Sequence, residues 1–438
     1  MRIIAFILIL SASISSVFAQ DIQEDTLSYY LQNAQYQKAI DYIEMQSPTK
    51  DLLFQKAFCY KSLNDYLKAI AILEPLSEEN PNDAPIKLQL ALCYESALLY
   101  PRGIACYDEL IKIDSTNTYF RMQKADLLYR HGKYPAALDV YFEIDTIYNP
   151  AYLKKSIGMC YEKINQPDSA KVYYNQAWKL EPKDSFSALS LVKIHIKEEN
   201  FTSALHDSEA FISQDSTNVQ MNILNAFTYY NINDYNEAVT RFEKCREQGD
   251  SSLIVNRGLG ISYYFLQNDS LALPLLQQAF SQDSTNVTVL YALASSYYNL
   301  EYFPEAIECY EKLVEHATPN RNTLYTYIKG LGMAYEKSRL FQEAYSKYMA
   351  ALQYASSFQS MELYYLIANI CEHEIDEPKL AIYYYEKYGE LLNVYKYSLS
   401  KEEDVDKDKV KEVEEKISAL EKYIQSLKEK NNDNTEFN

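Results

Sequence analysis

Small and apolar residues recur along most of this chain at the spacing of an α-helix, and the whole pattern repeats about every 34 residues. One small residue, usually alanine, marks each repeat. These residues are Ala39, Ala69, Gly103, Ala137, Ala170, Ala204, Ala238, Ala272, Ala306, Ala344 and Ala381. A fixed period of this length indicates stacked copies of one supersecondary unit. The series predicts eleven such repeats.

A second small residue lies twelve positions before most members of this series, and a tyrosine often follows it three residues later, as in Ala226 and Tyr229. Val192 is the exception to the small residue. Two helices cross at a short distance only where small side chains meet, and large aromatic rings fill the space beside the crossing. The pattern therefore predicts a helical hairpin in each repeat. Proline, whose missing N–H costs nothing in a first helical turn, is expected to open the second helix at Pro101, Pro135, Pro167, Pro304 and Pro378.

This pattern resembles the tetratricopeptide repeat family, most clearly in "ALASSYYNLEYFPEAIECYEKL" (292–313) and "GLGMAYEKSRLFQEAYSKYMAAL" (330–352). The family's tryptophan is absent, because the single tryptophan, Trp178, lies elsewhere in its repeat. The resemblance implies an all-α fold, an α-solenoid of about eleven helix-turn-helix repeats. We assign it to residues 20–390.

A heptad stripe of apolar residues follows the repeats, at Val410, Val413, Ile417, Leu420, Ile424 and Leu427. It spans under three heptads, so two interpretations stay open. The helix caps the open end of the solenoid, or it forms a short coiled-coil dimer. We assign residues 391–430 to this helix and expect residues 431–438 to be disordered.

The tetrapeptide "DSTN" occurs three times, at residues 114–117, 215–218 and 283–286. Asp, Ser and Asn are common in catalytic sites. Each copy, however, falls at the same phase of the repeat, between a second helix and the next first helix. Asp, Ser, Thr and Asn satisfy the amides at helix ends and favour turns. We therefore predict three equivalent turns rather than three sites.

No catalytic or metal-binding spacing emerges among the chemically active residues, so we expect no cofactor, no metal and no enzymatic activity. His195 lies in register with the core tyrosines. Gly260 and Gly332 end "GLG" tripeptides inside first helices, where close packing explains them. Of the seven cysteines, only Cys93 and Cys106 lie where a disulfide within one hairpin is worth testing. The competing interpretation is an enzyme with an unrecognised site.

Charge and the first residues indicate the compartment and exclude some partners. The net charge of −19 disfavours nucleic acid and anionic lipid as partners.

Residues 1–19 have a positive start, an apolar run and a small-x-small end before Gln20, which predicts a cleaved secretory signal peptide. No other stretch is apolar enough to span a membrane. We expect a periplasmic protein.

The resemblance implies that the first helices line a concave groove in which partner peptides or proteins lie. One residue after the core tyrosine, three consecutive repeats carry a tyrosine on that face. Together with neighbours at helical offsets, the predicted partner-binding residues are Phe227, Tyr230, Arg257, Tyr264, Phe265, Tyr291 and Tyr298. Six lysines fall on the same inferred face, at Lys155, Lys163, Lys193, Lys197, Lys329 and Lys337. Met159 and Met333 replace the asparagine of the family's carboxylate clamp, which argues against that clamp.

The sequence therefore predicts a non-enzymatic scaffold for protein–protein interaction in a bacterial periplasm. A narrower alternative is an adaptor subunit of an envelope assembly or secretion complex. Aromatic side chains with polar tips suit the binding anchors of such a protein.

Overall fold

The computed structural model describes residues 26–148, 150–316, 320–401 and 407–436, and of residues 432–436 it describes only the backbone. Within these ranges every regular element is a helix. The predicted signal peptide lies outside the described residues. The chain divides into two compact units, residues 1–200 and 201–438.

Helices of the first unit follow one another through short turns. They are α1 (Tyr36–Glu44), α2 (Lys50–Ser62), α3 (Tyr66–Glu79), α4 (Ala84–Ser96), α5 (Tyr100–Ile113), α6 (Thr118–Arg130), α7 (Tyr134–Asp145), α8 (Ala151–Lys163), α9 (Pro167–Leu180) and α10 (Ser185–Lys197). Residues 26–32 are also helical and pair with α1.

The second unit continues the same order. Its helices are α11 (Phe201–Ile212), α12 (Val219–Asn231), α13 (Tyr235–Glu247), α14 (Leu253–Phe265), α15 (Asp269–Gln282), α16 (Val287–Asn299), α17 (Phe303–His316), α18 (Arg321–Lys337), α19 (Phe341–Leu352), α20 (Ser357–His373), α21 (Pro378–Leu399) and α22 (Lys407–Glu436). Even-numbered helices up to α20 are the first helices of hairpins, and odd-numbered helices are the second helices.

Each predicted hairpin turn contains one residue with left-handed backbone, five positions before the small residue of its second helix. The φ angles lie between 53° and 78° at Ala34, Asn64, Leu98, Gly132, Asn165, Glu199, Asn233, Gln267, Glu301, Arg339 and Asp376. This conformation costs a non-glycine residue about 1–2 kcal/mol, so the packing of the paired helices dictates the turn. The regular series confirms the predicted repeat register and the all-α, α-solenoid class.

Close helix crossings explain the small residues. The alanines of the repeat series are fully buried. A Cβ atom added at Gly158 would lie 2.8 Å from Cδ1 of Tyr174, and one added at Gly332 would lie 2.7 Å from Cδ1 of Tyr348. The predicted packing role of the crossing glycines is confirmed. The core of each unit is a series of such contacts between consecutive helices.

The three "DSTN" copies form the same turn, as predicted. In the first, Oδ1 of Asp114 accepts hydrogen bonds from the backbone N–H of Thr116 at 3.1 Å and from its hydroxyl at 2.8 Å. Asn117 then caps α6 by accepting from the N–H of Tyr119. The copies at residues 215–218 and 283–286 repeat the aspartate–threonine bonds and the asparagine cap. These hydrogen bonds hold the pKa of Asp114 below its usual value.

Helix α22 packs against the end of the second unit. Val413 and Ile417 are buried against Leu392 and Leu399 of α21. The remaining stripe residues also contact the chain's own helices. This burial supports the capping interpretation, because residues that pack against the chain's own helices cannot also form the interface of a coiled-coil dimer. The helices do not end at the predicted boundaries: α21 continues past residue 390 to Leu399, and α22 extends to Glu436.

Candidate partner-binding faces of the first helices

Five of the predicted partner-binding residues in the second unit belong to a connected array of aromatic rings. The rings of Phe227 and Tyr230 are stacked with their centroids 6.0 Å apart. Tyr264 contacts Phe265 on its own helix at 5.3 Å and Tyr291 of α16 at 6.4 Å. Tyr235 of α13 joins the two groups, because its ring contacts both Tyr230 and Phe265, so these five residues lie in one aromatic array on α12, α14 and α16. Tyr298 instead contacts Phe303 of its own hairpin.

Sequence reasoning missed three members of this array. Tyr235 of α13 stacks on Phe265 with centroids 4.5 Å apart and rings 11° from parallel. Tyr327 of α18 and Tyr310 of α17 both contact Tyr291. Tyr235 and Tyr310 lie on second helices, and Tyr327 lies on a longer repeat. These three tyrosines therefore do not belong to the series of first-helix positions at a spacing of 34.

The expected contrast between neighbouring tyrosines is wrong. The core tyrosines Tyr229, Tyr263 and Tyr297 are expected to be buried and their neighbours Tyr230, Tyr264 and Tyr298 to be accessible, but all six are half-buried. Tyr264 packs between repeats, and burial raises the pKa of its hydroxyl. The reason is that a first helix is enclosed on both sides, by the preceding second helix and by the next first helix.

The other tyrosine set packs towards the preceding second helix and ends in a hydrogen bond. The hydroxyl of Tyr229 donates to Glu209 at 2.7 Å, and that of Tyr263 donates to Glu243 at 3.0 Å. Tyr297 accepts from Gln277 in the same position. These tyrosines therefore fasten each hairpin to the one before it.

Arg257 is half-buried at the centre of the predicted face. It forms no hydrogen bond or ion pair with any residue that the structure describes. Its positive charge acts on the Tyr230 hydroxyl, whose pKa burial raises and Arg257 partly lowers. Hydrogen bonds with Thr285 chiefly lower the pKa of Asp283, and the charge of Arg257 also lowers it.

Two of the six lysines predicted on this face form ion pairs within the chain. Lys155 pairs with Asp184 at 3.2 Å, and Lys329 pairs with Glu362 at 2.6 Å. The other four are exposed and pair with no residue in the described ranges, namely Lys163, Lys193, Lys197 and Lys337. Positive charge on this face is therefore lower than the sequence suggested.

The first unit carries an exposed aromatic row that was not predicted. Tyr119, Tyr152 and Phe186 begin α6, α8 and α10, and they are 47%, 45% and 44% exposed. Each lies six residues before the crossing position of its helix, at steps of 33 and 34. The spacing alone was a usable signal. The many other tyrosines of the chain obscure it, above all those next to the core tyrosines.

A small pocket opens on the same face of the first unit, between α6 and α8. Its volume is about 220 Å³, and its lining is Asp126, Tyr129, Arg130, Tyr141, Ser156 and Met159. The carboxylate of Asp126 accepts a hydrogen bond from the Tyr141 hydroxyl at 2.6 Å. Burial raises the pKa of Asp126 above its usual value. Asp126 was not among the predicted residues, because a single aspartate in a helix carries no sequence signal.

The described residues offer little for metal or thiol chemistry. They contain no group of three or more His, Cys, Asp or Glu side chains that could hold a metal ion. All seven cysteines are free, including Cys93 and Cys106. Burial raises the pKa of Cys93 to about 11, far from a reactive thiolate. His195 is half-buried. None of the described helices is both long and apolar enough to cross a membrane.

Two stretches of the chain, residues 156–184 and 287–316, match the tetratricopeptide repeat family model. They correspond to the hairpins α8–α9 and α16–α17. No curated protein matches the chain in sequence.

Several solved structures are similar to the chain at low identity. A chain of the APC/C hetero-tetramer Cut9-Hcn1 is 15% identical, with 83% of this chain and 86% of that chain covered and a TM-score of 0.34. A tetratricopeptide repeat protein from Parabacteroides merdae is 11% identical, with 57% and 98% covered and a TM-score of 0.40. Pseudomonas aeruginosa pilF is 18% identical, with 48% and 95% covered and a TM-score of 0.36. These scores are low, so the fold assignment rests on the helix pairing within the chain.

Proposed function

We propose that the protein is a non-enzymatic scaffold of tetratricopeptide type that binds partner proteins or peptides on the faces of its first helices. The observation that carries this proposal is the exposed row of Tyr119, Tyr152 and Phe186 on three consecutive first helices. Large rings with few rotatable bonds are favoured as binding anchors because little conformational entropy is lost when they are covered.

The aromatic array of the second unit supports the same function at a second place. Phe265 is exposed there, and Arg257 has no ionic partner among the described residues. Aromatic residues and arginine are the types enriched where partners bind. The two matches to the tetratricopeptide repeat model agree with this interpretation, since that family serves chiefly in protein–protein interaction.

The compartment is part of the proposal. We place the mature protein in a bacterial periplasm, because residues 1–19 have the features of a secretory signal. Cell fractionation and N-terminal sequencing of the native protein test this placement. Gln20 is expected as the first residue, and an intact Met1 in a cytoplasmic fraction would refute it.

The test of binding is affinity capture with a triple variant, Tyr119→Ser, Tyr152→Ser and Phe186→Ser. Partners captured by the wild type and identified by mass spectrometry should be lost, because the variant removes the anchors and leaves the core intact. The control replaces three exposed apolar residues of second helices in the same unit, Leu67→Ser, Val172→Ser and Leu180→Ser. Both variants should melt close to the wild type. Equal capture by the two variants would contradict the proposal.

A further inference from the structure

The pocket around Asp126 has the size of one side chain. Its volume of about 220 Å³ is below the roughly 300–1,000 Å³ of sites for whole small molecules. Tyr129 and Met159 supply apolar walls, and the Asp126 carboxylate supplies the charged group. Such a lining suits a long side chain with an apolar stem and a polar end.

No lysine or arginine of the described residues forms an ion pair with the carboxylate of Asp126. The carboxylate accepts a hydrogen bond from Tyr141. Arg130 also lines the pocket, but its guanidinium pairs with Glu95 of α4. Burial chiefly raises the pKa of Asp126. The charge of Arg130 lowers this pKa and that of Glu95 raises it, so the ion pair offsets only part of the negative charge that Asp126 brings to the pocket.

The position of Tyr141 keeps this carboxylate in place. Its ring is almost fully buried, and its hydroxyl donates its hydrogen bond to Asp126. The hydroxyl is therefore fixed, and it holds Asp126 without neutralising it. A half-buried carboxylate with raised pKa becomes more stable in its charged form when a cation approaches.

We propose that this pocket binds a lysine or arginine side chain of a partner segment that lies across the exposed aromatic row of the first unit. The proposal rests on the proposed function and names the partner chemistry of that face, a segment with a basic residue flanked by apolar ones. The row begins on the same helices as the pocket: Tyr119 precedes Asp126 on α6, and Tyr152 precedes Met159 on α8. The net charge of −19 attracts such a segment over a distance.

The experiment selects binders of the full-length protein from a displayed library of random seven-residue peptides. Selected peptides should be enriched in lysine or arginine at one position, next to apolar residues. One of them is then synthesised with its basic residue and with norleucine in that position. Fluorescence polarisation should show an affinity about tenfold lower for the norleucine peptide.

Two variants of the protein provide the structural control. Asp126→Asn keeps the shape of the side chain and its bond with Tyr141, and should lower the affinity of the basic peptide about tenfold. Glu336→Gln removes the same charge from another half-buried carboxylate that accepts a tyrosine hydroxyl, that of Tyr348 at 2.6 Å. This variant should bind the peptide like the wild type.

The outcomes separate this inference from the proposed function. Peptides that bind but lack a basic residue, or that bind Asp126→Asn as tightly as the wild type, would overturn the inference and leave the scaffold function standing. If no peptide is enriched and no partner is captured by the wild type, both proposals fail. Loss of binding in Glu336→Gln to the same extent would also overturn the inference, since only general charge would then matter.

Discussion

At the scale of single residues, three buried tyrosines occupy the same position in their repeats but differ in the hydrogen bonding of their hydroxyls. Tyr107, Tyr174 and Tyr348 lie four residues after the small residue of their second helices and are fully buried. The Tyr174 hydroxyl donates to Glu162 at 2.7 Å, and that of Tyr348 donates to Glu336. The Tyr107 hydroxyl has no hydrogen-bond partner among the described residues.

These differences predict opposite effects of one substitution. Tyr174→Phe should lower the free energy of unfolding by about 1.5 kcal/mol, because it removes a hydrogen bond to a charged group. Tyr107→Phe should leave the free energy unchanged or raise it, since it removes an unsatisfied buried hydroxyl. Urea unfolding followed by circular dichroism measures both. Equal losses in the two variants would show that Tyr107 has a hydrogen-bond partner in solution.

Sequence reasoning located the core residues but not the accessible ones. The small residues and the "DSTN" turns are fixed by local packing and hydrogen bonding, which repeat along the chain. The exposure of Tyr264 depends on Tyr291 of the next hairpin, a contact that no local pattern encodes. Asp126 illustrates the same limit, because its place in a pocket depends on Tyr141 and Met159 from two other helices.

At the scale of helices, hairpins were predictable because each one repeats the same crossing. The structure at the end of the repeats was harder to predict. The heptad stripe of α22 allowed a cap or a coiled coil, and the sequence alone does not show which surface covers the stripe. The structure places Ile417 and Val413 against α21, and Tyr423 donates a hydrogen bond to Glu372 of α20 at 2.6 Å.

This packing predicts the behaviour of a variant in α22. Ile417→Ala should lower the free energy of unfolding by about 2–4 kcal/mol, because a buried side chain leaves a cavity. The molar mass measured by light scattering should stay the same as that of the wild type. A control at the exposed Lys411, Lys411→Ala, should change neither quantity. If Ile417→Ala instead converted a dimer into a monomer with the same unfolding energy, the coiled-coil interpretation would be right.

At the scale of the whole molecule, the stability of the fold should depend on high pH, because the chain has 43 tyrosines and seven buried or half-buried thiols. Burial raises the pKa of Tyr229, Tyr325 and Tyr335 to about 12 each. It raises the pKa of Cys59 and Cys245 to about 11. In the unfolded chain the same groups would titrate near 10 for tyrosine and 9 for cysteine.

These shifts predict that the protein loses stability as the pH rises above about 9, because tyrosine and cysteine are ordinarily ionised only near 8.5–10 and higher. A group whose pKa is higher in the folded protein stabilises the fold fully below its unfolded pKa, and this contribution is lost as the pH rises through the folded pKa. The unfolded chain releases its protons first, so high pH favours it. Urea unfolding midpoints measured from pH 8 to pH 11 should therefore fall steadily above pH 9. In an alkaline titration, the absorbance of tyrosinate should rise over the same pH range in which the helical circular-dichroism signal is lost. If the tyrosines ionised at their ordinary pKa while the helices remained intact, their hydroxyls would be accessible and the packing between hairpins would be looser than described.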